Sequence, residues 1–218
     1  MGGHGGLRLG EVRILRLLRK DGKLGWRTCQ NGVVGCRLRF AEDAAAQRQC
    51  AVPTDYMKLF ALLNASGTRY VLIGGLAAVM HGVDRTTSDV DVVIDLAPES
   101  ARALVTALTD AGYRPIAPVD PTQFADQAVR QSWQDQHNMQ VFSLWDSENR
   151  RPTVDILLHS PVDFDSLWRD AVAMTFHGVT VKVASLEHLI QTKQQADRPQ
   201  DRADIDRLGA ILKSSTSR

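Results

Sequence analysis

Residues 74–95 read GGLAAVMHGVDRTTSDVDVVID, and the reading of this stretch decides the fold. It holds a glycine pair, a short apolar run, a polar loop, and two aspartates one residue apart on an apolar strand. Alternation along a strand puts residues i and i+2 on the same face. Asp89 and Asp91 therefore point one way, while Val90, Val92 and Ile94 point the other way into a core. Two carboxylates aimed at one spot repel each other unless a cation sits between them. Gly74 and Gly75 fall where a strand turns into a helix. They serve an anion at the helix start, a tight turn with positive φ, or both at once. No Gly-Lys-Ser/Thr follows them, so this is not a Walker loop. Together these features point to a metal-dependent site for a nucleoside triphosphate.

Working outward, residues 70–74 (YVLIG) read as a short buried strand ahead of a helix over 76–81, stopped by Gly82. Upstream, Thr54 or Asp55 caps a helix that carries Leu59, Leu62 and Leu63 and ends at Gly67. Downstream of the strand over 89–96, Pro98 and Glu99 open a helix that Gly112 closes. Residues 114–118 form a candidate strand and 121–133 a candidate helix, with QSWQDQHN (131–138) as an exposed turn. Two strands, 139–145 and 152–158, flank the polar turn DSENRR and make a hairpin. A helix over 163–172 follows. MTFHGVTVKV (174–183) reads as a second hairpin turning at His177 and Gly178. Ser185 with Glu187 starts another helix, and a last one after Pro199 carries Ile205, Leu208, Ile211 and Leu212. The expected class is α+β: a mixed β-sheet with packed helices and a C-terminal helical segment.

The second hairpin strand of the first pair adds a third acid. In PTVDILL, Asp155 alternates with Val154 and Ile156 and so faces away from the apolar side. If its strand neighbours that of Asp89 and Asp91, three carboxylates line one concave surface. Magnesium takes oxygen ligands, usually one or two carboxylates plus phosphate oxygens. Asp155, within reach of an attacking hydroxyl, accepts its proton. Arg85, Thr87 and Ser88 lie just ahead of the pair and are either phosphate contacts or solvated loop residues. His81 reads as a helix-end residue.

Charge divides the chain. Residues 1–50 carry ten Lys/Arg against four Asp/Glu; residues 51–218 carry sixteen against twenty-one. The acidic part argues against non-specific binding of nucleic acid. In VRILRLLRK (12–20) arginines interrupt the apolar residues, which defeats a secretory signal. No apolar run approaches the ~20 residues of a membrane span. Cys29, Cys36 and Cys50 fit no zinc or disulfide framework, so a reducing cytoplasm is the expected setting. Residues 1–52 are read as a basic, poorly ordered extension, residues 53–213 as the folded domain, and 214–218 as a tail.

The run GGLAAVMHGVDRTTSDVDVVI, with Asp155 further on, resembles the polymerase-β-type nucleotidyltransferase superfamily. The segment LIQTKQQADRPQDRADIDRL is similar to the C-terminal part of its minimal members, the AbiEii-type toxins and related bacterial nucleotidyltransferases. The resemblance covers residues 53–213. It implies two magnesium ions on Asp89, Asp91 and Asp155, with NTP phosphates against Gly74 and Gly75. It also implies a role for Lys193, toward the triphosphate or toward Asp204. Arg198, Asp201 and Asp204 fit the same segment as a structural ion-pair network. Leu76 stands where many relatives have a serine that contacts phosphate.

The expected activity is transfer of an NMP from NTP to an acceptor hydroxyl on an RNA 3′ end such as that of tRNA, a protein or a small molecule. A toxin with a partner antitoxin is one setting for it. The alternative is a catalytically inactive nucleotide-binding or scaffold protein of the same fold. Metal-dependent phosphoester hydrolysis ranks third, for want of a histidine-rich ligand set.

Overall fold

The computed structural model describes residues 14–20, 23–29, 34–35, 54–148 and 150–216. The chain divides into two units, Met1–Val33 and Val34–Arg218. In the first, β1 (Ile14–Lys20) pairs antiparallel with β2 (Lys23–Cys29). The expectation of a poorly ordered extension over 1–52 otherwise falls outside the described residues.

In the second unit the elements follow in order. They are β3 (Val34–Gly35), α1 (Thr54–Ala65), β4 (Tyr70–Leu72), α2 (Gly74–Met80), β5 (Thr86–Thr87), β6 (Val90–Ile94), α3 (Pro98–Asp110) and β7 (Tyr113–Pro115). After a 3₁₀ turn at Pro121–Ala125 come α4 (Gln127–His137), β8 (Val141–Asp146), β9 (Val154–Leu157), α5 (Phe164–Asp170), β10 (Val172–Phe176), β11 (Val179–Val183), α6 (Leu186–Ala196) and α7 (Pro199–Thr216). Seven strands form one mixed sheet in the order β10-β11-β4-β6-β9-β8-β7. The β11–β4 and β6–β9 pairs are parallel and the others antiparallel. The α+β expectation, with its helical C-terminal segment, agrees with this architecture.

Local chemistry accounts for the element ends. Asp163 caps α5 by accepting from the Ser166 N–H at 2.9 Å, and Ser185 caps α6 by accepting from His188 N–H at 3.2 Å. His177 and Gly178 both adopt positive φ, 48° and 81°, as a two-residue hairpin turn matching strand twist requires. One face of the sheet carries Val90, Val92, Ile94, Phe142, Leu144, Val154 and Ile156, all buried in a core shared with Leu59, Phe60, Leu104 and Leu108 of α1 and α3.

Residues 121–138 depart from the sequence reading. The helix begins at Gln127, behind a 3₁₀ turn, because Asp126 accepts from Ala128 N–H at 2.8 Å and fixes the start there. The stretch QSWQDQHN is mostly the second half of that helix. Gln131, Asp135 and Gln136 face water, while Trp133 turns inward and stacks on Phe142 with centroids 5.6 Å apart. Phe142 stacks in turn on Phe124 at 4.7 Å. A single buried indole outweighs the polar composition around it.

Candidate active site

Strand register delivers the carboxylates. Strands β6 and β9 run parallel side by side, with Asp91 directly opposite Asp155. Both lie on the face away from the core, since Val90, Val92, Val154 and Ile156 are buried on the other. Asp89 precedes β6 by one residue. The chain passes from β4 into α2 beside them, where the Ile73 N–H donates to the Asp91 carbonyl at 2.9 Å.

That approach explains the glycine pair. Gly74 has φ 68°, and a Cβ built on it would collide with the Asp91 carboxylate. A Cβ on Gly75 would lie 2.8 Å from Thr87 Oγ1 and 3.0 Å from the Arg85 guanidinium carbon. The Gly75 N–H points at Asp91 Oδ2, at a long 3.4 Å. Gly74 therefore fits the turn reading, with a positive φ and backbone bare enough for the Asp91 carboxylate to approach.

A cleft of about 220 Å³ opens here. Gly74, Gly75, Arg85, Thr87, Asp89, Asp91, Asp155 and Lys193 all line it. Ser88 does not; its hydroxyl donates to Asp89 Oδ1 at 3.1 Å from beside it. Burial pushes the Asp91 carboxyl up to about 6, with the charges of Asp155 and Asp89 adding to the shift and the Gly75 N–H opposing it. Asp155 is also raised, chiefly by burial. Its Oδ1 is buried without a hydrogen-bond partner. A desolvated, unpartnered carboxylate oxygen is costly, and such atoms call for an explanation.

The donor set bears on the metal expectation. Among the described residues no three carboxylate, imidazole or thiol groups are gathered tightly enough to hold an ion as they stand. The chemistry nevertheless fits a hard divalent cation: oxygen donors only, two of them facing each other across adjacent strands, one oxygen without a partner.

The positive wall is a network. Lys193 Nζ donates to Asp204 Oδ2 at 2.7 Å and Asp201 Oδ1 at 3.1 Å, and Arg85 pairs with the same Asp204 carboxylate. Asp204 is almost wholly buried, so it ties the loop before β6 to α6 and α7. Of the two expected partners of Lys193, the structure joins it to Asp204. Arg85 lines the cleft but is no free cation. Arg198 also lines the cleft, and its N–H donates to Asp201 Oδ2 at 3.3 Å. His81 ends α2, its Nε2 2.8 Å from the Ala184 carbonyl.

Two contributors escaped the sequence reading. Ser143 sits opposite Asp155 on β8, on the same face. Its signal was available, since it alternates with the apolar Phe142 and Leu144. Tyr56 donates from its hydroxyl to the Thr87 carbonyl at 3.3 Å, and burial followed by the Asp89 charge pushes its phenol up to about 12. In sequence Tyr56 looks like any core aromatic of α1.

No protein-family model matches the chain, and no curated protein matches its sequence. Solved structures do. The lincosamide antibiotic adenylyltransferase LnuA, in its lincomycin-bound form, superposes with a TM-score of 0.50 at 15% identity, over 73% of this chain and 98% of that one. The chain is also similar to ANT(2″)-Ia in complex with adenylyl-2″-tobramycin (TM-score 0.46, 15% identity, 73% and 86% covered). A third likeness is an antigenic nucleotidyltransferase-like protein from Paracoccidioides brasiliensis (0.43, 20%, 72% of each chain). The likeness to LnuA gives the chain a nucleotidyltransferase fold.

Proposed function

We propose that this protein is a nucleotidyltransferase. It moves a nucleoside monophosphate from an NTP–magnesium complex to an acceptor hydroxyl and releases pyrophosphate. The observation that carries the reading is the pairing of Asp91 with Asp155 on adjacent parallel strands, with one Asp155 oxygen buried and unpartnered, beside the Gly74–Gly75 turn.

Asp89, Asp91 and Asp155 would hold the magnesium. Bound there, the metal supplies charge neutralisation for the triphosphate and a lowered pKa for the acceptor hydroxyl. The triphosphate would lie along Gly74 and Gly75, with the Thr87 hydroxyl as a donor and Arg85 as a cation on the same wall. Lys193, with its charge met by Asp201 and Asp204, holds α6 to α7 and keeps Arg85 turned toward the cleft through their shared partner. The acceptor oxygen attacks the α-phosphorus, the bond to pyrophosphate breaks, and the hydroxyl proton passes to the Asp155 carboxylate. Carried onto an RNA 3′ end or a protein, this transfer is what a toxin of a toxin–antitoxin pair needs. Onto a small molecule it is a modifying reaction.

The test is release of pyrophosphate from α-labelled NTP, with the label followed into acceptors. We expect magnesium-dependent transfer that falls at least about a thousandfold in Asp91→Asn and Asp155→Asn. Tight MgATP binding with no label transferred to an RNA, protein or small-molecule acceptor would replace the enzyme with a nucleotide-binding protein.

A further inference from the structure

The open face of the sheet changes character across the strands. Its central row runs Asp91 on β6, Asp155 on β9 and Ser143 on β8. It continues to Ile116, just beyond β7, whose N–H donates to the Ser143 carbonyl at 2.9 Å. Trp145 lies on the same face as Ser143, two residues along β8, opposite Arg114. Adjacent strands are about 4.8 Å apart and residues rise about 3.3 Å along a strand. Ile116 thus stands about 10 Å from Asp155, and Trp145 about 7 Å along the strand from Ser143.

Ile116 is 60% exposed and Trp145 41% exposed. They are two of the three large apolar side chains exposed among the described residues, and both lie on this face. Folding does not ask for them: the opposite faces of β7 and β8 already bury Tyr113, Phe142 and Leu144. Exposed apolar side chains on the same sheet face as a carboxylate-lined cleft mark a surface for a ligand.

The other flank of the carboxylates is different. It offers bare backbone at Gly74 and Gly75, the Thr87 hydroxyl and the Arg85 guanidinium. A triphosphate needs donors and positive charge together, and the cleft gathers bare backbone, a hydroxyl and a guanidinium on the β4 side, while the cation opposite Trp145, Arg114, has its guanidinium on the Thr109 and Tyr113 carbonyls. We infer that the acceptor sits on the β8–β7 side, on a platform made by Trp145 and Ile116, and that it is a small molecule whose hydroxyl is carried on an apolar or aromatic ring. This rests on the transferase reading for the direction of the reaction, but the platform itself does not. The acidic balance of residues 51–218, twenty-one Asp/Glu against sixteen Lys/Arg, weighs against a long polyanion as the acceptor. An exposed indole face takes a flat ring or a cation.

The experiment is an NMR titration of the full chain with 2-phenylethanol, and separately with a short oligoribonucleotide, with MgATP binding measured on the same samples. Phenylethanol should shift the Trp145 indole N–H and the Ile116 methyls. Trp145→Ala should weaken that titration about fivefold, Trp145→Phe should retain it, and Ile116→Ser should weaken it less. MgATP binding should be equal in all four proteins. Shifts that miss Trp145 and Ile116 overturn the platform. An oligoribonucleotide that shifts them more strongly than phenylethanol overturns the small-molecule class. Absence of MgATP binding, with phenylethanol still on Trp145, would sink the transferase reading and leave the platform standing.

Discussion

Asp146 ends β8 and Asp155 lies on β9, its neighbour in the sheet, so the two carboxylates share a sequence neighbourhood and a polar loop. Asp146 points to the core side and is fully satisfied. It accepts from the N–H groups of Arg150 and Arg151 at 3.0 and 3.1 Å and from the Arg151 guanidinium at 2.8 Å. The guanidinium also lies over the Tyr113 ring, 4.6 Å from its centroid. Hydrogen bonding to Arg151 holds the Asp146 carboxyl below the usual carboxylate range. Asp155, on the open face, has an oxygen with no partner and looks across at Asp91, and both of these acids are raised. A buried acid that finds its donors inside the protein builds structure. A buried acid that finds another acid leaves its stabilisation to something that binds.

The largest effect is expected at Asp146. Asp146→Ala removes the carboxylate from a partly buried guanidinium, which keeps the Ala111 carbonyl, and from the N–H groups of Arg150 and Arg151, and we expect a loss of about 3 kcal/mol in urea unfolding. The Asp146 contribution is present above the ordinary carboxylate pKa and is lost as pH falls through its lowered folded value.

Asp91 should behave in the opposite sense. Its folded pKa of about 6 exceeds the unfolded value, so the native state holds more protons between the two. Without metal, stability should therefore fall as pH rises from about 4 to about 6. Asp91→Asn should stabilise the metal-free protein at pH 8 by on the order of 2 kcal/mol, and the gain should vanish at pH 4. A destabilised variant at pH 8 would place Asp91 with Asp146 as a structural acid.

The smallest change sharpens the glycine pair. Gly75→Ala presses on Thr87 Oγ1 and on the Arg85 guanidinium that Asp204 holds, so we expect a stability loss of about 1 kcal/mol. Nucleotide binding should weaken severalfold, as read by calorimetry. Unchanged binding would limit the pair to a role in the turn.

Much of this was legible in the sequence because it is local. Alternation set Asp89, Asp91 and Asp155 against their apolar neighbours, and Gly178 after His177 marked a hairpin. The Asp126 cap and the inward turn of Trp133 were hidden, because one indole among Gln, Asp and His gives no visible period. The bridge from Arg85 through Asp204 to Lys193 was only partly legible. Its members come from a loop and from two helices more than a hundred residues further along, and only the fold shows that one carboxylate serves both cations. The exposure of Trp145 was equally hidden, since an aromatic on an apolar strand reads as core until its neighbours are placed.

On the proposed reading, Asp91 and Asp155 form an unfinished site that a divalent cation and a nucleotide complete. Thermal unfolding with and without MgATP tests it on the parent chain and on the double variant Asp91→Asn/Asp155→Asn. MgATP should raise the Tm of the parent and leave unchanged that of the variant, which starts from the higher Tm without ligand. Equal stabilisation of both proteins by MgATP would contradict it.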